Sequence, residues 1–416
     1  MTFLAPAIKR APQNILDADD RDPLRGFRQR FVLPIGKVYL DGNSLGALPA
    51  ATSARVAEVV TQQWGQDLIT SWNKHEWIEA PQRVGAKVAR LIGAQADEVL
   101  IADSTSVNLF KLLVAALQHQ DGRMTILSEP GNFPTDLYIA EGVARVLPGR
   151  RLRTLPVDEI VDAIDDDTAV VMLTHVHYKS GRKLDMAAIT AAAHAKGALV
   201  LWDLSHSAGA VSVDLKGCDV DMAVGCGYKY LNGGPGAPAF LQVARRLQDA
   251  LQSPLSGWMG HAAGFDFIDA YVPKPGAGRF LCGTPPILGM AALEVGVDLM
   301  LEASARDIED KAKALSELFI REVEANSPEL TLVTPRRFAD RGSHVSFSHP
   351  HAYEICQALI ARGVIGDFRA PDIVRFGFTP LYIGHADVWH AAATLADVMS
   401  TGAWKHPEYA VRNAVT

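Results

Sequence analysis

The chain has 416 residues, of which 48% are hydrophobic and 21% charged, and its formal net charge is −7. That length accommodates two or three domain-sized units around a large buried core. The acidic balance argues against nucleic-acid binding as the main business, because phosphate contacts need clustered Lys and Arg. No apolar run approaches the roughly 18 residues that span a bilayer.

Met1–Pro6 lacks the apolar core and cleavage pattern of a signal peptide. The four cysteines, Cys218, Cys226, Cys282 and Cys356, match no zinc or redox spacing and read as buried small residues in a reducing, cytoplasmic setting. The first three dozen residues are polar, with charges clustered at 17–22, and are expected to wrap the surface or dock on a partner subunit. From about residue 50 helical and extended patterns alternate. Helices are predicted over 50–66, over 84–92 closed by Gly93, over 107–118, and over the Ala-rich 186–196 capped by Gly197. Short strands are predicted at 99–101, 124–127, 152–155, 169–173, 198–202, 222–224 and 239–241. The runs 169–173 and 198–202 are apolar without alternation, as expected of strands buried on both faces. Alternating strands and helices imply an α/β fold with a mostly parallel sheet flanked by helices, and ligands at the carboxyl ends of its strands. A long helical pattern over 287–325 carries an apolar stripe, Ile308, Ala312, Leu315, Phe319 and Val323. Strands at 330–333, 345–348 and 374–378, with helices at 353–362 and 386–399, then form a smaller α+β C-terminal domain. The expected division is an N-terminal segment 1–50, a large domain 51–300 and a small domain 301–416, whose last dozen residues read as a tail.

Two segments carry the chemistry. Asp203 follows an apolar strand, and Lys229 stands about two dozen residues on, at the mouth of the Gly-rich loop 232–236. That pairing suits pyridoxal 5′-phosphate: the Lys holds the aldehyde as a Schiff base, and the Asp keeps the pyridine nitrogen protonated. Tyr228 is a phosphate donor beside the Lys, and His206 could hydrogen-bond the cofactor or Asp203. Asp103-Ser104-Thr105-Ser106 precedes a helix, where N-capping side chains and backbone N–H groups also make an anion site. Phe133 either stacks on a cofactor ring or fills the core. Arg375, inside an apolar strand pattern, needs a substrate carboxylate or a buried salt bridge. His175 and His177 lack the further ligands of a metal site, so no metal is expected.

The ordered set Tyr39-Leu40-Asp41-Gly42-Asn43-Ser44-Leu45-Gly46, Phe133-Pro134-Thr135-Asp136, Asp203-Leu204-Ser205-His206, Gly227-Tyr228-Lys229-Tyr230, Gly257-Trp258-Met259-Gly260-His261, Gly283-Thr284-Pro285-Pro286, Arg375 and Pro380-Leu381-Tyr382 resembles the kynureninases, within the fold-type I pyridoxal phosphate enzymes. The resemblance runs nearly end to end. It implies a homodimer with active sites at the subunit interface, acting on a small amino-acid substrate. It assigns Lys229 to the Schiff base and Asp203 to the pyridine nitrogen, with Phe133 on the ring and Asp136 nearby. Thr105, Ser106 and Tyr228 would bind the phosphate region with Trp258 and Thr284, the last two from the other subunit. Thr174 and His206 would line the cofactor site, and Arg375 would take the α-carboxylate. Ser44, Trp72 and His261 are candidates for the aryl end of the substrate. Some relatives carry Asn in place of Thr284 and an aromatic residue in place of Met259, departures that bear on ring-substituted substrates. The implied reaction is hydrolysis of L-kynurenine to anthranilate and L-alanine. Lys229 moves the α-proton, and Tyr228 or a bound water helps water add to the γ-carbonyl before the β–γ carbon bond breaks. The rivals are a cysteine desulfurase or aminotransferase of the same fold, and a non-catalytic binding module. A desulfurase usually shows His where Tyr228 stands, and a binding module should have lost the Lys, the Asp or the phosphate cluster.

Overall fold

A computed structural model describes residues 10–412; the reading of Met1–Pro6 lies outside them. The described residues divide into two compact units, one of residues 51–178 and 184–302, the other of residues 10–50, 179–183 and 303–412.

The larger unit is built on a seven-stranded sheet. Its spatial order is Val99–Ile101, Phe240–Val243, Met222–Gly225, Leu199–Asp203, Thr168–Thr174, Thr125–Ser128 and Arg151–Thr154. Only Phe240–Val243 runs antiparallel to its neighbours. Both faces are covered, which is why the central strands lack polar alternation. Along Leu199–Asp203, Val200 and Trp202 point into one apolar cluster with Val84, Val88 and Leu293. Leu199 and Leu201 point into another with Leu109, Leu113 and Val143. The buried helix Thr105–His119 starts at Ser104, whose Oγ accepts the Val107 N–H at 3.3 Å, as an N-cap should. Gly93 and Gly197 end their helices at φ +62° and +72°, in the left-handed region that glycine reaches most easily. Residues 50–66 split into an α-helix, Ala50–Glu58, and a π-turn, Val59–Trp64. After the turn at 130–131 the chain enters a helix over Pro134–Val146, with Pro in its first position where no N–H is needed.

The smaller unit has an antiparallel sheet ordered Thr331–Leu332, His344–Ser348, Ile373–Gly377, Asp367–Arg369. Its helices are Ala305–Asn326, Ala352–Ala361 and His385–Ser400. The long pattern over 287–325 is two helices, broken where Ser304 caps the second by accepting the Asp307 N–H at 3.3 Å. The apolar stripe of that second helix is buried, and Phe319 meets the rings of Phe376 at 4.7 Å and Phe378 at 5.5 Å. Val38–Tyr39 pairs in parallel with Val364–Ile365, which carries the following residues to the Ile373–Gly377 strand, where Asp41 bridges Gly377. Of the residues read as a tail, Val411 and Arg412 are docked: Tyr353 Oη donates to the Val411 carbonyl at 2.8 Å, and Arg412 covers the Tyr353 ring at 4.1 Å.

The N-terminal helix Gln13–Asp20 supplies a cap to a helix remote in sequence. Gly384, at the N-cap of His385–Ser400, has no side chain to offer. Asp19 takes its place, accepting the backbone N–H of His385 at 2.5 Å and of Ala386 at 2.9 Å. A Cβ at Gly384 would stand 2.9 Å from the Asp19 carboxylate, so glycine leaves room for the substitute cap. Burial pushes the Asp19 pKa up, but the His385 and Ala386 hydrogen bonds win and hold it below its ordinary value. Asp19→Ala is therefore expected to lower stability by about 1 kcal/mol in denaturant unfolding at neutral pH. Because the folded pKa is depressed, this contribution is present above the ordinary carboxylate range and is lost as pH falls through the folded value. A variant as stable as the parent at neutral pH would show that the cap contributes nothing.

Candidate active site

The carboxyl ends of the central strands gather the charged residues singled out in the sequence. Asp203 is the last residue of its strand and is buried, its Oδ1 accepting the Ser205 N–H at 2.7 Å. Lys229 lies just beyond the Met222–Gly225 strand, 9% exposed. Its Nζ is 2.8 Å from His206 Nε2, 5.7 Å from the centroid of the Phe133 ring and 5.9 Å from that of Tyr228. His206 thus pairs with the lysine. Asp136, in the first turn of its helix, is buried, and one of its carboxyl oxygens has no hydrogen-bond partner. Burial pushes its pKa far up, and the neighbouring Asp203 carboxylate pushes it further, against the pull of Lys229. Burial also raises Asp203, although Ser205 and Lys229 oppose it. The result is a desolvated set of two carboxyls and one amine.

Thr174, at the end of its strand, donates to Asn132 Oδ1 at 2.5 Å; Asn132 in turn accepts the Phe133 N–H at 2.7 Å and donates to Ser128 Oγ at 3.2 Å. This chain fixes the turn that presents Phe133 and Asp136. Phe133 is 37% exposed and meets the Tyr178 ring edge-on at 5.2 Å. Tyr228 is half-buried; burial, then Cys226 and Asp203, raise its pKa so that the phenol keeps its proton at neutral pH.

Thr105 and Ser106 form the first turn of their helix. A cavity of about 570 Å³ beside that turn is lined by Asp103, Ser104, Tyr228, Gly236, Ala237, Pro238 and Pro286. Asp103 adopts φ +46°, an uncommon state for a residue with a side chain, and is tethered there by Lys111 Nζ at 2.7 Å. Lys111 is fully buried and donates also to the Phe280 carbonyl at 2.8 Å. In the Gly-rich loop, Gly233 is needed for close approach: a Cβ there would fall 2.7 Å from the Gly227 carbonyl.

Other candidates are engaged elsewhere. Trp258 packs edge-on against Phe265 at 5.2 Å, and Trp72 against Trp77 at 5.8 Å. His261 is buried, with one ring nitrogen 3.1 Å from the Ala270 carbonyl and the other accepting the Ala263 N–H at 2.8 Å. Thr284 is exposed on the segment leading into Ile287–Glu302. His175 meets Ser207 Oγ at 2.9 Å and His177 meets the Gly131 carbonyl at 2.8 Å, so the two rings serve separate partners. Cys226 and Cys356 are buried as expected, whereas Cys218 and Cys282 are partly exposed.

Arg375 and Ser44 sit in the smaller unit. Arg375 is buried on its strand opposite Asp367, and its Nε donates to Asp367 Oδ1 at 2.8 Å while Nη2 bonds Oδ2 of the same carboxylate. Ser44 Oγ donates to Asp367 Oδ2 at 2.7 Å and accepts from Arg375 Nη2 at 2.9 Å and from Arg369 at 3.0 Å. The buried salt bridge weighed for Arg375 is therefore present. Asn132, Lys111, Asp367 and Asp41 join these clusters although the sequence reading gave them no role. Lys111 had a signal, a lone cation inside a strongly apolar helix. Asp367 had none until cross-strand register placed it.

Comparison with known proteins follows this geometry. The family model for the kynureninase C-terminal domain matches residues 308–395. The kynureninase of Burkholderia mallei (strain SAVP1) is 52% identical over 413 residues, covering 97% of this chain and 99% of the relative. That of Deinococcus radiodurans is 52% identical over 406 residues, 96% and 98% of the two chains. Among solved structures, a cysteine desulfurase from Thermococcus onnurineus NA1 superposes with a TM-score of 0.78 at 20% identity, covering 92% of this chain and 99% of its own. A cystine C–S lyase superposes at 0.77 with 20% identity, covering 87% and 98%. The latter two share the fold, the parallel sheet flanked by helices that the sequence predicts. With half its residues identical across nearly the full length of the curated relatives, the chain belongs to the kynureninase family.

Proposed function

We propose that this protein hydrolyses L-kynurenine, and its 3-hydroxy form, to anthranilate or 3-hydroxyanthranilate and L-alanine, with pyridoxal 5′-phosphate as cofactor. The observation that carries the reading is the buried Lys229 amine, hydrogen-bonded to His206 and electrostatically coupled to Asp203 and Asp136. The residues fit the cofactor. A buried Asp203 carboxyl with raised proton affinity calls for a cationic partner, which a pyridinium N–H supplies, and Asp136 has a buried oxygen with no hydrogen-bond partner. The first turn at Thr105 and Ser106 offers backbone N–H groups and hydroxyls to a phosphate, with Tyr228 lining the adjacent cavity. Phe133 would cover the ring, and Thr174 and His206 would border it.

When bound, the cofactor supplies an electron sink conjugated to the substrate α-carbon. Lys229 is the group that takes and returns the proton at that carbon, and His206 orients its amine. Tyr228, whose phenol holds its proton, is suited to donate at the γ-carbonyl oxygen as water adds. Asp203 stays ionised against a cation and so favours the protonated ring nitrogen. Arg375 receives the α-carboxylate, Asp367 fixing the plane of its guanidinium.

We also infer a cytoplasmic homodimer serving tryptophan breakdown or nicotinamide supply, with Trp258 and Thr284 of the partner subunit reaching the phosphate region. Support comes from exposed apolar side chains along one segment, Phe265, Phe267, Ile268 and Val272, at 60, 79, 54 and 48% exposure. The four cysteines are all free thiols. Among the described residues no helix is long and apolar enough to cross a membrane.

Lys229→Ala is expected to remove both the Schiff-base absorbance of the cofactor-loaded protein and anthranilate release; retention of both would displace Lys229 from its role. Arg375→Ala is expected to raise KM roughly 10- to 150-fold, the loss of a charged hydrogen bond of about 1.5–3 kcal/mol, and an unchanged KM would remove the carboxylate from Arg375. Light scattering of the purified protein should give twice the mass of the 44.9 kDa chain. A monomer mass would refute the dimer.

A further inference from the structure

The cluster around Arg375 contains one more carboxyl than the salt bridge needs. Asp41 is brought there by the Val38–Tyr39 strand and bridges Gly377, two residues past Arg375 on the Ile373–Gly377 strand. One of its carboxyl oxygens is buried with no hydrogen-bond partner. Its own turn continues into Ser44, the hydroxyl that joins Arg375, Arg369 and Asp367. The groups facing Asp41 come from every neighbouring element: Tyr39 from its own strand, Asp367 from the next, Arg375, Tyr382 beyond it, and Cys356 from the Ala352–Ala361 helix, while Arg369 joins the cluster through its ion pair with Asp367.

Two carboxyls so placed do not ionise independently. Asp367 is the one that stays ionised: burial pushes it up, but the charge and hydrogen bonds of Arg375 hold it below its ordinary range. Asp41 is pushed up to about 7, first by burial and then by the Asp367 carboxylate, against the pull of Arg375. Tyr39, Tyr382 and Cys356 are all raised by burial and stay neutral at this pH. With Asp41 ionised, the two carboxylates balance Arg375 and Arg369. With Asp41 protonated, the cluster keeps one positive charge in excess.

We propose that Asp41 is a positioning residue for substrate: only in its protonated form does the cluster of Asp41, Asp367, Arg369 and Arg375 present a net positive charge, so the enzyme holds a proton on Asp41 when it binds the substrate's α-carboxylate and releases the carboxylate more readily when that proton is lost. This rests on the reading of Arg375 as the carboxylate site. It makes carboxylate recognition pH-dependent near neutrality without any group that touches the reacting carbon.

The probe is 4-(2-aminophenyl)-4-oxobutanoate, which keeps the aryl ketone and the carboxylate but lacks the amine that reacts with the cofactor. Its inhibition constant against the holoenzyme should rise by about fivefold or more between pH 6.5 and 8.5, with a limit of tenfold per pH unit if the protonated form alone binds. In Asp41→Asn, an isosteric and uncharged variant, the constant should stay level over that range. A level profile in the parent, or an unchanged rise in Asp41→Asn, would overturn the proposal. If that variant does not fold, calorimetry on the parent at pH 7.5 in buffers of different ionisation enthalpy serves instead: net proton uptake on binding the probe is expected, and none would overturn it. Arg375→Ala separates the two claims. If it binds the probe as tightly as the parent, the carboxylate reading itself fails. If it binds weakly while Asp41→Asn keeps the parent's pH dependence, the role of Asp41 alone fails.

Discussion

The burial of one amine organises the larger unit. A lysine nitrogen taken out of water needs a partner, and Lys229 finds His206 at 2.8 Å with two carboxyls within electrostatic reach. Each of those groups is delivered by a different strand end or helix start. Asp203 comes from the end of one strand, Lys229 from the loop after the next, and Asp136 from a helix fixed by the Asn132–Thr174 hydrogen bond. The parallel sheet makes this possible because its strands end at one edge, and their connections run away from it as helices. The same arrangement fixes the electrostatics: burial disfavours the ionised carboxyls, and the Lys229 cation opposes that effect at both Asp136 and Asp203.

The smaller unit solves a second desolvation problem. Arg375 cannot lose its charge, so the fold must supply a counter-charge, and the antiparallel register places Asp367 directly across from it. The geometry is bidentate, which fixes the guanidinium plane as well as its charge. Ser44 and Asp41 then enter on a separate short strand pairing. This explains why residues from the first 50 positions of the chain belong with the C-terminal sheet.

Sheet and helices were legible because each central strand is covered on both faces and reads as an unbroken apolar run. Asp203 stood out for the same reason, as a charge at the end of such a run, and Lys229 as a lysine at the mouth of the Gly-rich loop. His206 was placed near them, but its pairing with the lysine depends on side-chain direction. Asp367 could not be read, because nothing in the sequence fixes which residue of a three-residue strand faces Arg375. Lys111 was legible as a lone cation in an apolar helix, but its partners were not: Asp103 and the Phe280 carbonyl, which explain why a charge is tolerated there, are fixed only by the fold. The 287–325 pattern looked continuous because Ser304, the residue that breaks it, acts through a cap, and capping leaves the apolar period almost undisturbed. The C-terminal segment read as a tail because its contacts, an arginine over Tyr353 and Phe368, are made by a few isolated residues.

The most direct test is a product assay on the purified protein supplied with pyridoxal 5′-phosphate and L-kynurenine. The account expects anthranilate, followed by its fluorescence, and alanine to appear in equal amounts as kynurenine is consumed. No anthranilate from a cofactor-loaded protein that instead releases sulfide from cysteine would contradict it.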